Sequence, residues 1–162
     1  MEMYLDKAES LTGNLAGAKY IVSGGRGLGN REGFSRLLCF ADLIHAQVGG
    51  TRGAVDLGWI DKRREIGMSG KRVHPKLYIA CGLSGANFHT IGIEHADIIV
   101  AINTDKKARI FELADIGILA DAKEYLAQLN QFLQENQEQL TGQRPEEYLL
   151  PYFEKKFTVM EG

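Results

Sequence analysis

The chain has 162 residues, with 44% hydrophobic and 25% charged residues and a formal net charge of −2 at pH 7. This length and composition are typical of one globular domain, and two cysteines are too few for a disulfide-built scaffold. The near-neutral charge gives no reason to bind nucleic acid, and without a leader-like N-terminus or a long apolar run we expect a cytoplasmic protein with no membrane insertion.

Short apolar runs alternate with helical patterns along the chain. Such alternation predicts a three-layer α/β fold of the Rossmann-like type, with helices on both faces of a doubly wound, mostly parallel sheet. In such a fold ligands bind beyond the carboxyl ends of the strands. The charged stretch 61–65 is expected to be exposed. Strands are predicted at 20–22, at Val48 running into 51–56, at 77–81, at 97–102 and at 116–120, and helices at 31–46, between the third and fourth strands, and at 122–133.

The C-terminal part has a different composition. We expect a binding domain over residues 1–133, followed by an extension, 134–162, that begins rich in Gln and Glu and ends in aromatic residues. The extension is either helical and packed on the domain or a segment that docks a partner.

The first glycine-rich turn, 23–29, follows a predicted strand and precedes a predicted helix. Its Gly-x-Gly-x-Gly spacing is not the dinucleotide fingerprint, and no Walker lysine follows. Arg26 either faces a ligand phosphate or ribose, which a guanidinium matches well, or is a surface arginine on a flexible turn.

Polar residues follow the other predicted strands. Arg52 can polarise an electron-rich ring or simply pair with Asp56. In the second glycine-rich turn, 82–89, Ser84 is expected to cap a helix, and His89 either donates to a ligand carbonyl or is structural. Asn103 and Asp121 either bind a nucleoside or cap the elements that follow them.

Residue patterns of acid–base or hydrolytic catalysis are missing from the sequence. It has no Ser/His/Asp order, no paired carboxylate motif and no His-Glu-x-x-His, and its other histidines are scattered. Glycine-rich loops without a reactive group favour a protein whose cofactor carries the chemistry.

Six motifs in order carry a resemblance to a known family. They are Val22-Ser23-Gly24-Gly25-Arg26-Gly27-Leu28, Thr51-Arg52-Gly53-Ala54-Val55-Asp56, Gly67-Met68-Ser69-Gly70-Lys71, Leu77 to Ala86, Ile99-Val100-Ala101-Ile102-Asn103 and Ala114-Asp115-Ile116-Gly117. Together they resemble the C-terminal FAD-binding domain of the electron transfer flavoprotein alpha subunit, over roughly residues 17–133. The resemblance implies FAD as cofactor, a beta-type subunit and flavin dehydrogenases as partners, and an electron carrier, not an enzyme with its own substrate.

The resemblance also assigns site residues. It implies that Arg52 lies near the isoalloxazine, that the Ser69 hydroxyl contacts the ring near N5, and that His89 lies near the pyrimidine carbonyl. A positive charge and hydrogen-bond donors there would favour anionic reduced flavin. The remaining predicted cofactor-binding residues are Arg26, Ser84, Gly85, Ala86 and Asn87 around the pyrophosphate, Asn103 and Asp121 at the adenosine, and Thr51, Ile66, Gly67, Met68, Phe88 and Ala122 beside them.

The sequence also departs from the family. Met68 and Phe88 stand where the family has glutamines, Ser69 replaces a threonine, and Lys106 and Arg109 replace prolines. Two alternatives therefore stay open: a non-redox module that binds AMP or ADP, and an interaction domain, including a homodimer, that assembles through its aromatic tail.

Overall fold

Five parallel strands form a single sheet at the centre of the fold. They are β1 (Tyr20–Gly24), β2 (Gln47–Gly50), β3 (Leu77–Cys81), β4 (Ile98–Asn103) and β5 (Ile116–Leu119), in the order β2-β1-β3-β4-β5. All four pairings are parallel, with Tyr20 opposite Leu77 at the start of the central pair. The computed structural model describes residues 14–67, 70–85 and 87–156, apart from the side chains of 87–89, 155 and 156.

Seven helices connect or follow these strands in the described ranges. They are α1 (Arg31–Ile44), α2 (Arg52–Asp56), α3 (Asn87–Ile93), α4 (Ile110–Leu113), α5 (Ala122–Glu135), α6 (Gln137–Leu140) and α7 (Pro145–Lys156), with 3₁₀ turns at Arg26–Leu28 and Lys62–Arg64. None of the helices in these ranges is both long enough and apolar enough to cross a membrane.

Helices cover both faces of the sheet. Side chains alternate along a strand, so Ile21 belongs to one buried cluster and Val22 to the other. The larger cluster joins the sheet to α1, α5 and α7, and the smaller one joins it to α3, α4 and the segment around Val73. Strands buried on both faces explain the continuous apolar runs of β3 and β4. The predicted three-layer α/β fold is confirmed.

Two local predictions were wrong. The second strand ends at Gly50, because the Thr51 hydroxyl accepts a hydrogen bond from the Ala54 amide over 3.2 Å and starts a helix at residue 52. In the charged stretch 61–65, residues 61–63 are exposed as predicted, but Arg64 and Glu65 are buried. Both lie against strand β2, where Arg64 donates to Gln47 Oε1 over 3.1 Å and Glu65 bridges to Gly50.

Helix α7 packs on the rest of the fold. Leu149 and Phe153 are fully buried, and the ring of Phe153 lies 6.2 Å from that of Tyr125 on α5. At the start of α7, the Tyr20 hydroxyl donates to Glu146 Oε1 over 2.8 Å. Residues 145–156 thus cover the sheet, whereas the domain boundary at residue 133 stays a prediction.

Candidate functional site

A cavity lies where the chain reverses its direction of winding. From β1 the chain passes to β2 on one side, and from β3 it passes to β4 on the other. The connections from β1 to β2 and from β3 to β4 therefore run to opposite sides and leave a crevice between them, which is where open α/β sheets bind ligands. Its volume is about 520 Å³, within the range of small-molecule sites. It is lined by Gly25, Arg26, Gly27, Thr51, Arg52, Gly53, Glu65, Ile66, Gly67, Gly82, Leu83, Ser84, Gly85 and Asn103.

Backbone-to-backbone contacts between two loops form the floor of this cavity. The Gly25 amide donates to the Cys81 carbonyl over 3.1 Å, and the Gly27 amide donates to the Gly82 carbonyl over 2.7 Å. A Cβ at Gly82 would lie 2.7 Å from the Gly27 carbonyl carbon, closer than real Cβ contacts allow, and the φ of Gly82 is +68°. Glycine at these positions is what lets the two loops touch.

Two arginines form the wall nearest β2. The Arg26 side chain crosses the first turn of α2 directly above Gly53, and the Arg52 side chain is 75% exposed. Arg52 Nε lies 3.7 Å from Asp56 Oδ2, so this arginine lines the cavity and also makes the weak pair that the sequence left open.

The opposite wall is the turn after β3. Gly85 has a φ of +78° and leads into α3, which begins at Asn87. Ser84 is therefore not the N-cap of that helix, contrary to expectation: its exposed side chain lines the cavity, and its carbonyl accepts from the Ile110 amide over 3.0 Å. The amides of Ser84 and Gly85 make no hydrogen bond to other described residues, so they can donate to a ligand.

Asn103 joins this wall to the loop after β4. Its Nδ2 donates to the Leu83 carbonyl over 2.9 Å, and its Oδ1 accepts from the Asp105 amide over 2.9 Å. The nitrogen and the oxygen of the Asn103 side-chain amide thus each bond to a backbone group, and the residue lines the cavity. Ile66 and Leu83, both buried, add apolar surface at the base.

The structure brings half of the predicted site residues to this cavity. They are Arg26, Thr51, Arg52, Ile66, Gly67, Ser84, Gly85 and Asn103. Met68, Ser69 and Ala86 lie outside the described residues. Asn87, Phe88 and His89 begin α3, but their side chains are not described.

Asp121 and Ala122 do not line the cavity. They follow β5, and the Asp121 carboxylate caps α5 by accepting from the Lys123 and Glu124 amides over 2.9 and 3.2 Å. Ala122 is buried in the larger core cluster. The capping alternative for Asp121 is therefore observed, and a contact with adenosine stays a prediction.

Some cavity residues were missed from the sequence. Gly25, Gly27, Gly82 and Leu83 lie in the two glycine turns, so their position after a strand was a usable signal. Gly53 follows the predicted Arg52 directly. Glu65 had no signal, because nothing in a charged run indicates that one carboxylate turns inward.

A comparison with known families identifies the family to which the chain belongs. Residues 14–94 match the family model described as "Electron transfer flavoprotein FAD-binding domain". The chain belongs to this electron transfer flavoprotein alpha family. The matched range contains β1 to α3 and therefore every loop that lines the cavity except the one at Asn103.

Individual relatives of the electron transfer flavoprotein alpha family support the match. The chain is 46% identical over 128 residues to "Protein FixB" of Azorhizobium caulinodans, covering 79% of this chain and 35% of that protein. It is 47% identical over 118 residues to "Electron transfer flavoprotein subunit alpha" of Bacillus subtilis, covering 73% and 36%. The chain spans about a third of the length of the curated relatives it matches.

The cofactor of this family of domains is FAD, and the cavity fits it chemically. A pyrophosphate needs cations and amide donors, which Arg26 and the backbone amides of Ser84 and Gly85 supply at the rim. Flat rings need apolar surface, which Ile66 and Leu83 supply at the base. The glycine floor admits a ligand close to the backbone. The described residues contain no cluster of metal-ligating side chains that competes with this assignment.

Proposed function

We propose that this chain is the FAD-binding module of an electron carrier, that it holds FAD in the cavity at the carboxyl ends of β1 to β4, and that it has no substrate chemistry of its own. The observation that carries the proposal is the convergence of Arg26, Arg52 and the Ser84–Gly85 turn on one cavity within the family's FAD-binding range. Bound FAD would supply the redox chemistry by accepting and releasing electrons.

The chain's own residues have distinct tasks in this proposal. Arg26 and the amides of Ser84 and Gly85 bind phosphate oxygens, because all three residues line the cavity and the two amides make no hydrogen bond to other described residues. Arg52 places a positive charge beside the ring, which favours the addition of electrons there. Among the described residues Arg52 pairs only with Asp56, at 3.7 Å, and both side chains are exposed, so most of that charge is available to a ligand.

The remaining predicted contacts belong to the same proposal. Ser69 and His89 would contact the ring, and Asn103 and Asp121 the adenosine, as the family resemblance implies. Partners would be a beta-type subunit that completes the flavin pocket and the dehydrogenases that deliver electrons. Cys39 and Cys81 are buried and are not joined in a disulfide, which supports a reducing compartment, so we keep the cytoplasm as the expected location.

The visible absorption spectrum of the purified chain after incubation with FAD and gel filtration tests this function. We expect retained flavin absorbance that dithionite bleaches, with FAD binding more tightly than ADP or AMP, since the flavin end adds contacts. Arg52→Gln should shift the flavin potential to lower values and leave ADP affinity unchanged. A colourless chain, or equal affinity for ADP and FAD, would contradict the proposal and favour the adenine-nucleotide module.

A further inference from the structure

Gly53 occupies a position where a side chain would fit only if the exposed side chain of Arg26 moved away. It is the second residue of α2, and a Cβ built on it would lie 2.6 Å from Arg26 Nε, 3.1 Å from Cγ and 3.2 Å from Cδ. Real Cβ atoms are essentially never closer than 3.0 Å to another heavy atom. The stem of Arg26 therefore lies in the volume that any side chain at residue 53 would fill.

Backbone hydrogen bonds of its neighbours hold the backbone of Arg26, whereas no hydrogen bond or ion pair to another described residue holds its side chain. The Gly25 and Gly27 amides donate to the Cys81 and Gly82 carbonyls, so the Cα of Arg26 is fixed against the end of β3. The guanidinium makes no ion pair with any described residue, and the side chain is exposed. A long, exposed arginine would otherwise sample many rotamers. Ordering it in one rotamer when a ligand binds would lower the affinity for that ligand.

We propose that Gly53 is a positioning residue for the cofactor cavity: its missing side chain forms the groove across α2 in which Arg26 lies, and this holds the guanidinium at the ligand phosphates. The inference rests on the proposed function, because it assigns Arg26 to the same ligand. It adds that Gly53 determines the position of the Arg26 guanidinium. Thr51 supports the groove by capping α2 through Ala54.

Helix propensity gives this inference an unusual test. Gly53 lies in a helix, where alanine is intrinsically more stable than glycine. A residue with only a structural role would therefore tolerate Gly53→Ala or gain stability from it. We expect Gly53→Ala to leave the thermal midpoint of the ligand-free chain unchanged or raised, and to weaken FAD affinity about tenfold as Arg26 loses its place.

The experiment is a double-mutant cycle on the full chain with FAD titration and thermal unfolding. Arg26→Ala should weaken FAD binding as much as Gly53→Ala, and adding Gly53→Ala to Arg26→Ala should have no further effect. Gly17→Ala, at an exposed turn outside the cavity where a Cβ would meet only the exposed Asn14 side chain, at 3.0 Å, serves as the control and should leave FAD affinity unchanged. Additive losses, or unchanged affinity in Gly53→Ala, would overturn the inference.

Crystal structures of the wild type and Gly53→Ala separate this inference from the proposed function. If the wild type takes up no FAD, the proposed function fails, yet the structures still decide whether Arg26 lies over residue 53 and leaves it in the variant. An Arg26 side chain in the same place in both structures would refute the positioning role. A wild type that binds FAD together with an unmoved Arg26 in the variant refutes the inference alone.

Discussion

The Gly27 amide donates to the Gly82 carbonyl over 2.7 Å, and this bond joins the loop after β1 to the loop after β3. The two residues are distant in sequence and neighbours in space because their strands pair centrally in the sheet. Their contact forms the floor of the cavity, and Arg26 and Ser84, which line its walls, lie in the same two loops.

Gly82→Ala should therefore damage both stability and the cavity. Its φ of +68° strains any L-residue, and the new Cβ would overlap the Gly27 backbone. We expect a loss of about 3 kcal/mol in the free energy of unfolding, from strain and overpacking together. Gly142→Ala is the matched control, since Gly142 has a φ of +87° with nothing within 4 Å and should cost about 1 kcal/mol. Equal losses in urea denaturation would show that the loop contact contributes nothing.

Asp121 allows the capping role to be separated from the predicted adenosine contact. Asp121→Ala removes the acceptor for the Lys123 and Glu124 amides and should lower the free energy of unfolding by about 1 kcal/mol. Asp121→Ser keeps a capping oxygen and should retain the stability. If Asp121 also binds adenosine, both variants lose FAD affinity in a titration. If Asp121→Ser binds FAD as tightly as the wild type does, Asp121 caps helix α5 and does not contact the adenosine.

The bond from Tyr20 to Glu146 predicts a loss of stability at alkaline pH. Burial, followed by the hydrogen bond and the charge of Glu146, raises the pKa of Tyr20 above its ordinary value. Because the folded state then holds this proton more tightly, the stabilisation is present below the unfolded pKa of about 10 and is lost as pH rises through the folded value.

Tyr20→Phe tests this linkage. The variant should be less stable than the wild type by about 1 kcal/mol at neutral pH, since the bond to Glu146 is lost. The gap should close at alkaline pH, which thermal unfolding between pH values on either side of the tyrosine titration would measure. Glu146→Gln should also flatten the pH dependence, and a gap that stays constant would contradict the assignment.

Phe153 reports whether α7 belongs to the core. Its side chain is fully buried beside Tyr125 and Tyr152, so Phe153→Ala should lower the free energy of unfolding by about 3–5 kcal/mol. The exposed Glu154, its neighbour, provides a control in Glu154→Ala, with an expected change within about 0.5 kcal/mol. Urea denaturation measures both. A small effect of Phe153→Ala would favour the docking tail over the packed helix.

Cys81 should be inert toward thiol reagents in the native chain. Burial at the end of β3 raises the pKa of its thiol far above the ordinary value, so no thiolate forms at mildly alkaline pH. Cys39→Ser leaves Cys81 as the sole cysteine, and we expect it to react only after denaturation. Rapid labelling of the native variant would mean that the cavity floor opens.

Much of the fold was predictable from the chain because a doubly buried strand such as Leu77–Cys81 must be a continuous apolar run. The position of Arg26 beside the cavity followed from the rule that parallel strands end at one edge. The end of the second strand was harder to predict, because a threonine can either extend a strand or cap a helix. In the structure the Thr51 hydroxyl accepts a hydrogen bond from the Ala54 amide, so the strand ends and a helix begins. Burial of Arg64 and Glu65 depends on Gln47 and Gly50, partners that no local pattern identifies.

The reversal of winding between β1 and β3 also links cofactor uptake to folding. The cavity draws its lining from segments between Gly25 and Asn103, which meet only after the central strands have paired in register. A nucleotide bound in the cavity would contact segments that are distant in sequence. If FAD binds there as proposed, it would bind only chains in which the sheet has formed, and by mass action it would therefore make unfolding less favourable.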